Sequence, residues 1–276
     1  MNRSSVTVVL SGGGAKAAAH IGAVRALSES GLTPARFVAT SMGAVIAAGL
    51  ASGTPGDALL DRLTEVGARG ISPDPLAIFR GLFGRSLMRQ APFRRALEAI
   101  VPARRFADLR IPVTVSVNDL DSGELLLYGA GGRDAPLRDV LAATTALPLY
   151  FPPVLLDGRR CGDGGLRGVL PLEAAAHLGN EPVVAVDVGP GFEVSSSVPP
   201  AGPPLVRAHD EAVGTLMAAH TQEQLARWRA EAGRPPLMYV RPVIERYATF
   251  RVERVREYAE LGYRATREAI ARSAGT

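Results

Sequence analysis

Three short stretches hold the residues whose types and spacing could do chemistry: Gly12-Gly13-Gly14, Ser41 within "FVATSMGAVIAAG", and Asp163 within "CGDGGL". Consecutive glycines let the backbone come close to a ligand and aim amide N–H groups at it. A helix N-terminus just behind them adds a positive end that favours an oxyanion or a phosphate. The same glycines also suit a plain strand-to-helix turn. They do not complete a dinucleotide fingerprint, since Ala17 stands where the third glycine belongs, and no Gly-Lys-Ser/Thr follows at phosphate-loop spacing. A nucleotide-binding reading therefore lacks any recognisable phosphate or ribose partner.

Ser41 has small residues two before and two after it, Ala39 and Gly43. That spacing suits a nucleophile elbow, where a serine sits on a sharp turn between strand and helix and bulky neighbours would clash. The pattern is Ala-x-Ser-x-Gly, one methyl larger than the usual Gly-x-Ser-x-Gly. Ser41 is thus either a nucleophile or a small residue at a tight turn. A nucleophile needs a base, and the histidines offer none in an assignable position. His20 falls inside the first helix and is expected to face its packing, and His177 closes the "LEAAAHLG" helix, where a histidine meets the last carbonyls. His209 and His220 lie about 20° apart on a helical wheel, but a metal pair there lacks a carboxylate and a third ligand.

Asp163 offers a carboxylate that could serve as a base without histidine, but on its own Asp-Gly-Gly is ordinary turn chemistry. An aspartate with a pKa of about 3.9 is a poor base for a hydroxyl. A Ser41–Asp163 dyad works only if burial raises that pKa and the oxyanion is strongly stabilised. Asp119, Asp121 and Glu124 in "NDLDSGE" match part of a calcium loop, but its full spacing is absent and a hairpin turn fits better. Cys161, the single cysteine, excludes an intramolecular disulfide and a cysteine-built zinc site.

The elements that must position these residues read as an α/β protein. "VTVVL" (6–10) is a buried strand, followed by a helix from Ala15 to the stop at Gly31. "ARFVAT" and "MGAVIAAGLA" repeat the strand-then-helix order, which points to βαβ construction around a mainly parallel sheet flanked by helices. Further strands are expected at 112–117, 124–128, 182–189 and 237–242, with helices over 136–146 and from about Arg251 to Arg272. The uncharged stretch Phe37–Gly56 carries too many small and polar residues for a lipid-facing span and reads as strand, turn and helix. Residues 190–204 are rich in proline, serine and glycine and read as a mobile surface loop.

With 276 residues, 47% of them apolar and 21% charged, the chain can bury one large core, and no linker favours two domains; residues 1–276 read as one. The formal charge of +4 is a mild excess carried almost wholly by arginine, so nucleic acid is not an expected partner. No signal peptide pattern opens the chain, and cytoplasmic residence is the default expectation.

Taken together and in order, the motifs resemble the patatin-like phospholipase family. "SGGGAKAAAHIGAV" is similar to its glycine-rich opening, with Lys16 at the basic position, and "ATSMGAVIAAG" to its nucleophile elbow, with Met42 and Gly43 after the serine. "AATTALPLYFPPVLLDGRRCGDGGL" is similar to its proline-rich approach to the aspartate, which Gly164 follows; "NDLDSGE" and the late "RPVIERYATFRVERVREYAELGYRAT" extend the likeness over nearly the whole chain. The resemblance implies a serine acyl hydrolase of lipid or fatty-acyl esters, of phospholipase A or lysophospholipase type, with no metal and no organic cofactor. It implies Ser41 as nucleophile, Asp163 as base, and the amides of Gly12, Gly13 and Gly14 as oxyanion hole. Two positions depart from the pattern, Ala17 and Ala39, where the family usually has glycine. They are the only support for the alternative, a catalytically weak or inactive lipid-binding or regulatory protein of the same fold.

Residues 78–110 hold eight arginines against Glu98 and Asp108. Phe93, Ala96, Leu97 and Ile100 recur at helical spacing with Arg94 and Arg95 off that face, and Ile78, Phe79, Leu82 and Phe83 form a second apolar cluster. This segment either covers the site and docks on anionic membrane surfaces, or is a solvated helix pair whose apolar face is core.

Overall fold

The computed structural model describes residues 4–68, 86–192, 203–245 and 249–274. The β-branched runs become strands of one eight-stranded sheet. These are β1 (Ser4–Leu10), β2 (Leu32–Thr40), β3 (Val113–Asp119), β4 (Leu125–Gly129), β5 (Val154–Leu156), β6 (Arg159–Asp163), β7 (Val183–Val186) and β8 (Leu237–Val240). The helices are α1 (Ala19–Glu29), α2 (Ser41–Ala51), α3 (Gly56–Ala68), α4 (Gln90–Ile100), α5 (Leu137–Thr144), α6 (Gly165–Gly168), α7 (Leu172–Ala176), α8 (Pro204–Ala230) and α9 (Val255–Ala274).

The parallel part of the sheet runs β3-β2-β1-β7-β8, and the antiparallel β4 and β6 join it at β3, with β5 beyond β6. Helices cover both faces, as a parallel sheet requires. Alternation along β1 sends Val6, Val8 and Leu10 to the larger core, shared with α1, α2, α5 and α9, and Val9 to a smaller one, shared with α7 and α8.

One feature of register positions the site. Ser116 of β3 pairs with Thr40 of β2, and the next residue, Val117, pairs with Asp163 of β6. Residues 114–118 pair with β4 as well, so β2 and β6 must share the other edge of β3, one ending where the other ends. The first residue after β2 is Ser41.

Three local features differ from the expectation. The helix expected from Ala15 opens instead as a 3-10 turn over Gly14–Ala18, because the Ala15 amide is taken by the Thr249 carbonyl (2.8 Å) and Gly14 has a φ of 60°. β2 begins at Leu32 and includes Pro34; the register slips between Val6 and Thr7, and the extra residue absorbs the missing proline N–H. α3 and the β5–β6 hairpin are additional to the expected elements. Leu59, Leu60, Leu63 and Val66 give α3 a readable helical stripe, whereas β5 has three residues, too few for any periodicity.

α1 and α9 touch backbone to backbone. A Cβ on Gly22 would strike the Ala259 carbonyl, and one on Gly262 the Ala19 carbonyl, so only glycine permits this crossing. Ser41 rides on α2, which packs beside this pair. No helix among the described residues is long and apolar enough to cross a membrane.

Candidate active site

β2 delivers Ser41 to the start of α2 with a φ of 53°, the left-handed region that a side chain adopts only at a cost of about 1–3 kcal/mol. The turn is this sharp because Gly43 lies against the Ser11 carbonyl, where a Cβ would collide. Ala39 is fully buried in the larger core, so its methyl is accommodated as packing beside the strand-to-helix turn at Ser41. Ala17 is likewise buried in that core.

Ser41 Oγ donates a 2.7 Å hydrogen bond to Asp163 Oδ2, and the Gly165 amide donates to Asp163 Oδ1 at 2.8 Å. Asp163 is buried at the end of β6. Burial pushes its pKa up to about 6, while the Ser41 hydroxyl and the Gly165 amide pull it back. Such a carboxylate is ionised at neutral pH and far more basic than an ordinary aspartate. Gly164 fits between β6 and α6 because a Cβ there would strike the Ser116 carbonyl.

The glycine loop faces the same cavity, of about 290 Å³, together with Ser41, Met42 and Asp163. The expected oxyanion hole needs one correction. The Gly12 amide donates to the Val169 carbonyl at 2.9 Å, so it is spent on holding the loop, and the candidate oxyanion donors narrow to Gly13 and Gly14. Gly13 sits where a Cβ would meet Val188, and Gly14 where it would strike the Thr249 carbonyl. Lys16 also lines the cavity, but its Nζ is directed at the Gly189 carbonyl (3.4 Å), a loop-bracing contact.

Beneath the loop lies a polar scaffold. Ser11 Oγ accepts from the Val188 amide (2.8 Å) and donates to the Gly12 carbonyl (3.0 Å). His20 Nε2 meets the Ser11 carbonyl at 2.9 Å, and burial lowers its pKa to about 4, so it stays neutral. Asp187 accepts from the Tyr239 hydroxyl (2.8 Å) and the Gly189 amide (2.8 Å) and pairs with Arg241 at 2.9 Å.

Away from Ser41 and Asp163 the cavity wall is mostly apolar. Ile46 lies one turn down α2 from Ser41, and Leu63, Val66, Phe93, Leu97 and Ile100 continue the wall. The apolar face read on 93–100 lines the cavity wall, with Phe93 stacked on Phe151 at 4.2 Å, and its Leu97 and Ile100 belong at the same time to the larger core. Arg94 is paired with Asp139. The cluster at Ile78, Phe79, Leu82 and Phe83, and residues 193–202 of the expected loop, lie outside the described residues.

The other candidates stay apart from Ser41. His20 is buried under the loop, as expected; His177 caps α7; His220 Nδ1 sits 3.3 Å from Gln224 Nε2. His209 pairs with Asp210, which lines the cavity mouth beside Tyr150. Asp119 caps its own hairpin through Asp121 and Ser122 and pairs with Arg159, and Asp121 pairs with Arg160. No group of three metal-ligating side chains occurs among the described residues. Sequence reasoning misses Leu63 and Val66, which the α3 stripe announces, and Thr144, Tyr150 and Met217, which nothing in one sequence marks.

Fold and site define a class: an α/β protein with a serine–carboxylate pair where two strands end on one edge, beneath an apolar cavity. A family model described as patatin-like phospholipase matches residues 8–176, and the chain belongs to that family. A patatin-like phospholipase domain-containing protein of Caenorhabditis elegans is 28% identical over 285 residues, covering 96% of this chain and 20% of its own length. An uncharacterized NTE family protein of Mycobacterium tuberculosis is 29% identical over 202 residues, covering 70% of this chain and 53% of its own length. Patatin-like phospholipase domain-containing protein 6 of Homo sapiens is 26% identical over 196 residues, with 70% and 14% covered. The chain thus spans about half or less of these relatives. The crystal structure of VipD from Legionella pneumophila aligns over 98% of this chain and 67% of its own, with 15% identity and a TM-score of 0.46.

Proposed function

We propose that this chain is a serine acyl hydrolase acting on lipid esters. The observation that carries the reading is the 2.7 Å contact of Ser41 Oγ with a buried carboxylate whose pKa is raised to about 6, on the wall of an apolar cavity. Ser41 Oγ attacks the ester carbonyl carbon and passes its proton to Asp163 Oδ2. The carbonyl oxygen becomes an oxyanion facing the Gly13 and Gly14 amides, and the N-terminus of α2 adds its positive end. Collapse breaks the ester C–O bond, the alcohol leaves with the proton from Asp163, and an acyl-Ser41 remains. Asp163 then takes a proton from water, which attacks the acyl carbon; the fatty acid departs and Ser41 regains its proton.

The apolar wall of Ile46, Leu63, Val66, Phe93, Leu97 and Ile100 supports an acyl chain as the buried part of the substrate. Residence in the cytoplasm with peripheral contact on anionic membranes belongs to the same reading, supported by the arginine excess of 78–110. Co-sedimentation with anionic vesicles checks that part: binding indifferent to Arg95→Glu counts against docking.

The direct test is hydrolysis of p-nitrophenyl esters of short and long acyl chains by the native protein and by Ser41→Ala. Turnover that disappears in the folded variant supports the nucleophile, and equal turnover in both sinks it.

A further inference from the structure

We propose that Thr144, the last residue of α5, is the positioning residue that holds the proposed nucleophile in its strained turn; this rests on the Ser41–Asp163 reading. The first N–H groups of a helix have no intrahelical partner and are usually satisfied by a nearby side chain. α2 has no such local cap, and the Thr40 hydroxyl is engaged with the Ser116 hydroxyl instead. The Ser41 amide donates to Thr144 Oγ1 at 2.8 Å, across 103 residues of sequence.

That hydroxyl is fully committed. Its one hydrogen goes to the Ser116 carbonyl at 2.7 Å, so its lone pair is oriented toward Ser41 N–H. Thr144 is completely buried, which keeps water from substituting for either contact. Two residues on, the Ala146 carbonyl accepts the Asp163 amide at 3.0 Å. Residues 144–146 therefore grip both ends of the 2.7 Å Ser41–Asp163 contact, the serine through a side chain and the aspartate through the backbone. Ser116 adds the third fixed point, since it lies beside Thr40 in the sheet and directly precedes Val117, the partner of Asp163. Strain at Ser41 makes this hold consequential: without it, the amide can rotate out of the left-handed turn and carry Oγ away from Asp163.

The test compares Thr144→Val, which keeps the shape and removes the hydroxyl, with Thr144→Ser, which keeps the hydroxyl. The readouts are kcat and KM on a p-nitrophenyl ester, and hydrogen exchange of the Ser41 amide. Thr144→Val is expected to lose about 10²-fold in kcat with KM within about threefold, and to lose Ser41 amide protection selectively. Thr144→Ser is expected to restore both. Equal losses in Val and Ser variants, or a Val variant with native kcat or native Ser41 protection, overturn the proposal. If Ser41→Ala is as active as native protein, the dyad reading fails by itself; unchanged Ser41 protection in Thr144→Val removes the anchor as well.

Discussion

Two buried aspartates stand at the ends of two strands of this sheet, β6 and β7, with β3, β2 and β1 between them. Asp163 closes β6 and Asp187 follows β7; each accepts a 2.8 Å bond from the glycine amide two residues on, Gly165 or Gly189. That one amide contact is common to both. Asp187 gives its other oxygen to the Tyr239 hydroxyl and the Arg241 guanidinium. Asp163 gives its other oxygen to a serine, and no cation contributes to its pKa. A cation beside a buried carboxylate favours its charged form, whereas burial with only neutral donors raises the pKa, as it does for Asp163.

The largest expected effect separates the two by rate. Asp163→Asn should lower kcat/KM by about 10³-fold or more, as loss of a catalytic base does. Asp187→Asn should leave the folded protein with the native acid limb, the fall in rate below about pH 6 expected if Asp163 is the base. An acid limb that moves in Asp187→Asn, or survives in Asp163→Asn, breaks the contrast; pH–rate profiles decide.

The next separates them by stability, with opposite signs. The folded-state pKa of Asp163 lies above its ordinary value of 3.8, so its stabilising share is fully present below about pH 4 and is lost as pH rises through about 6. At pH 7 the ionised group costs about 2–3 kcal/mol. Asp163→Asn should therefore melt above native protein at pH 7, with the gain vanishing below pH 4. Asp187→Asn leaves Arg241 without its carboxylate and should cost about 3 kcal/mol. Thermal melts at both pH values check the signs.

The smallest expected effect concerns Ala39. Ala39→Gly restores the residue usual at elbows but removes a fully buried methyl from β2. It should cost about 1 kcal/mol of stability and leave kcat within about threefold, because that methyl is core packing. A large gain in kcat would mean that Ala39 does hold the elbow off its best geometry.

Much of the candidate site is legible in the chain itself. Small residues around Ser41, glycines at 12–14 and the Asp-Gly-Gly at 163 are local requirements of turns, and local sterics are written in local sequence. The parallel sheet is legible for the same reason, since β-branched runs alternating with alanine-rich helices admit few arrangements. Gly12 is easily misread as an oxyanion donor because its neighbours do not reveal that Val169, far along the chain, takes its amide. The stripe of α3 is legible though unclaimed by the motifs; Thr144 is not legible, because its partners Ser41 and Ser116 are brought to it by register alone.

The sequence by itself determined which residues could serve as nucleophile, base and loop, and that strands and helices would alternate to carry them. Only the tertiary structure decided that the Asp163 carboxylate lies 2.7 Å from Ser41 Oγ, while the similarly buried Asp187 turns to Tyr239 and Arg241. The reason is the shared edge of β3, where Thr40 and Asp163 pair with successive residues, and the absence of a cation among the groups that shift Asp163. Carboxylate chemistry depends on what lies within a few ångströms after folding, and chain order does not encode that distance.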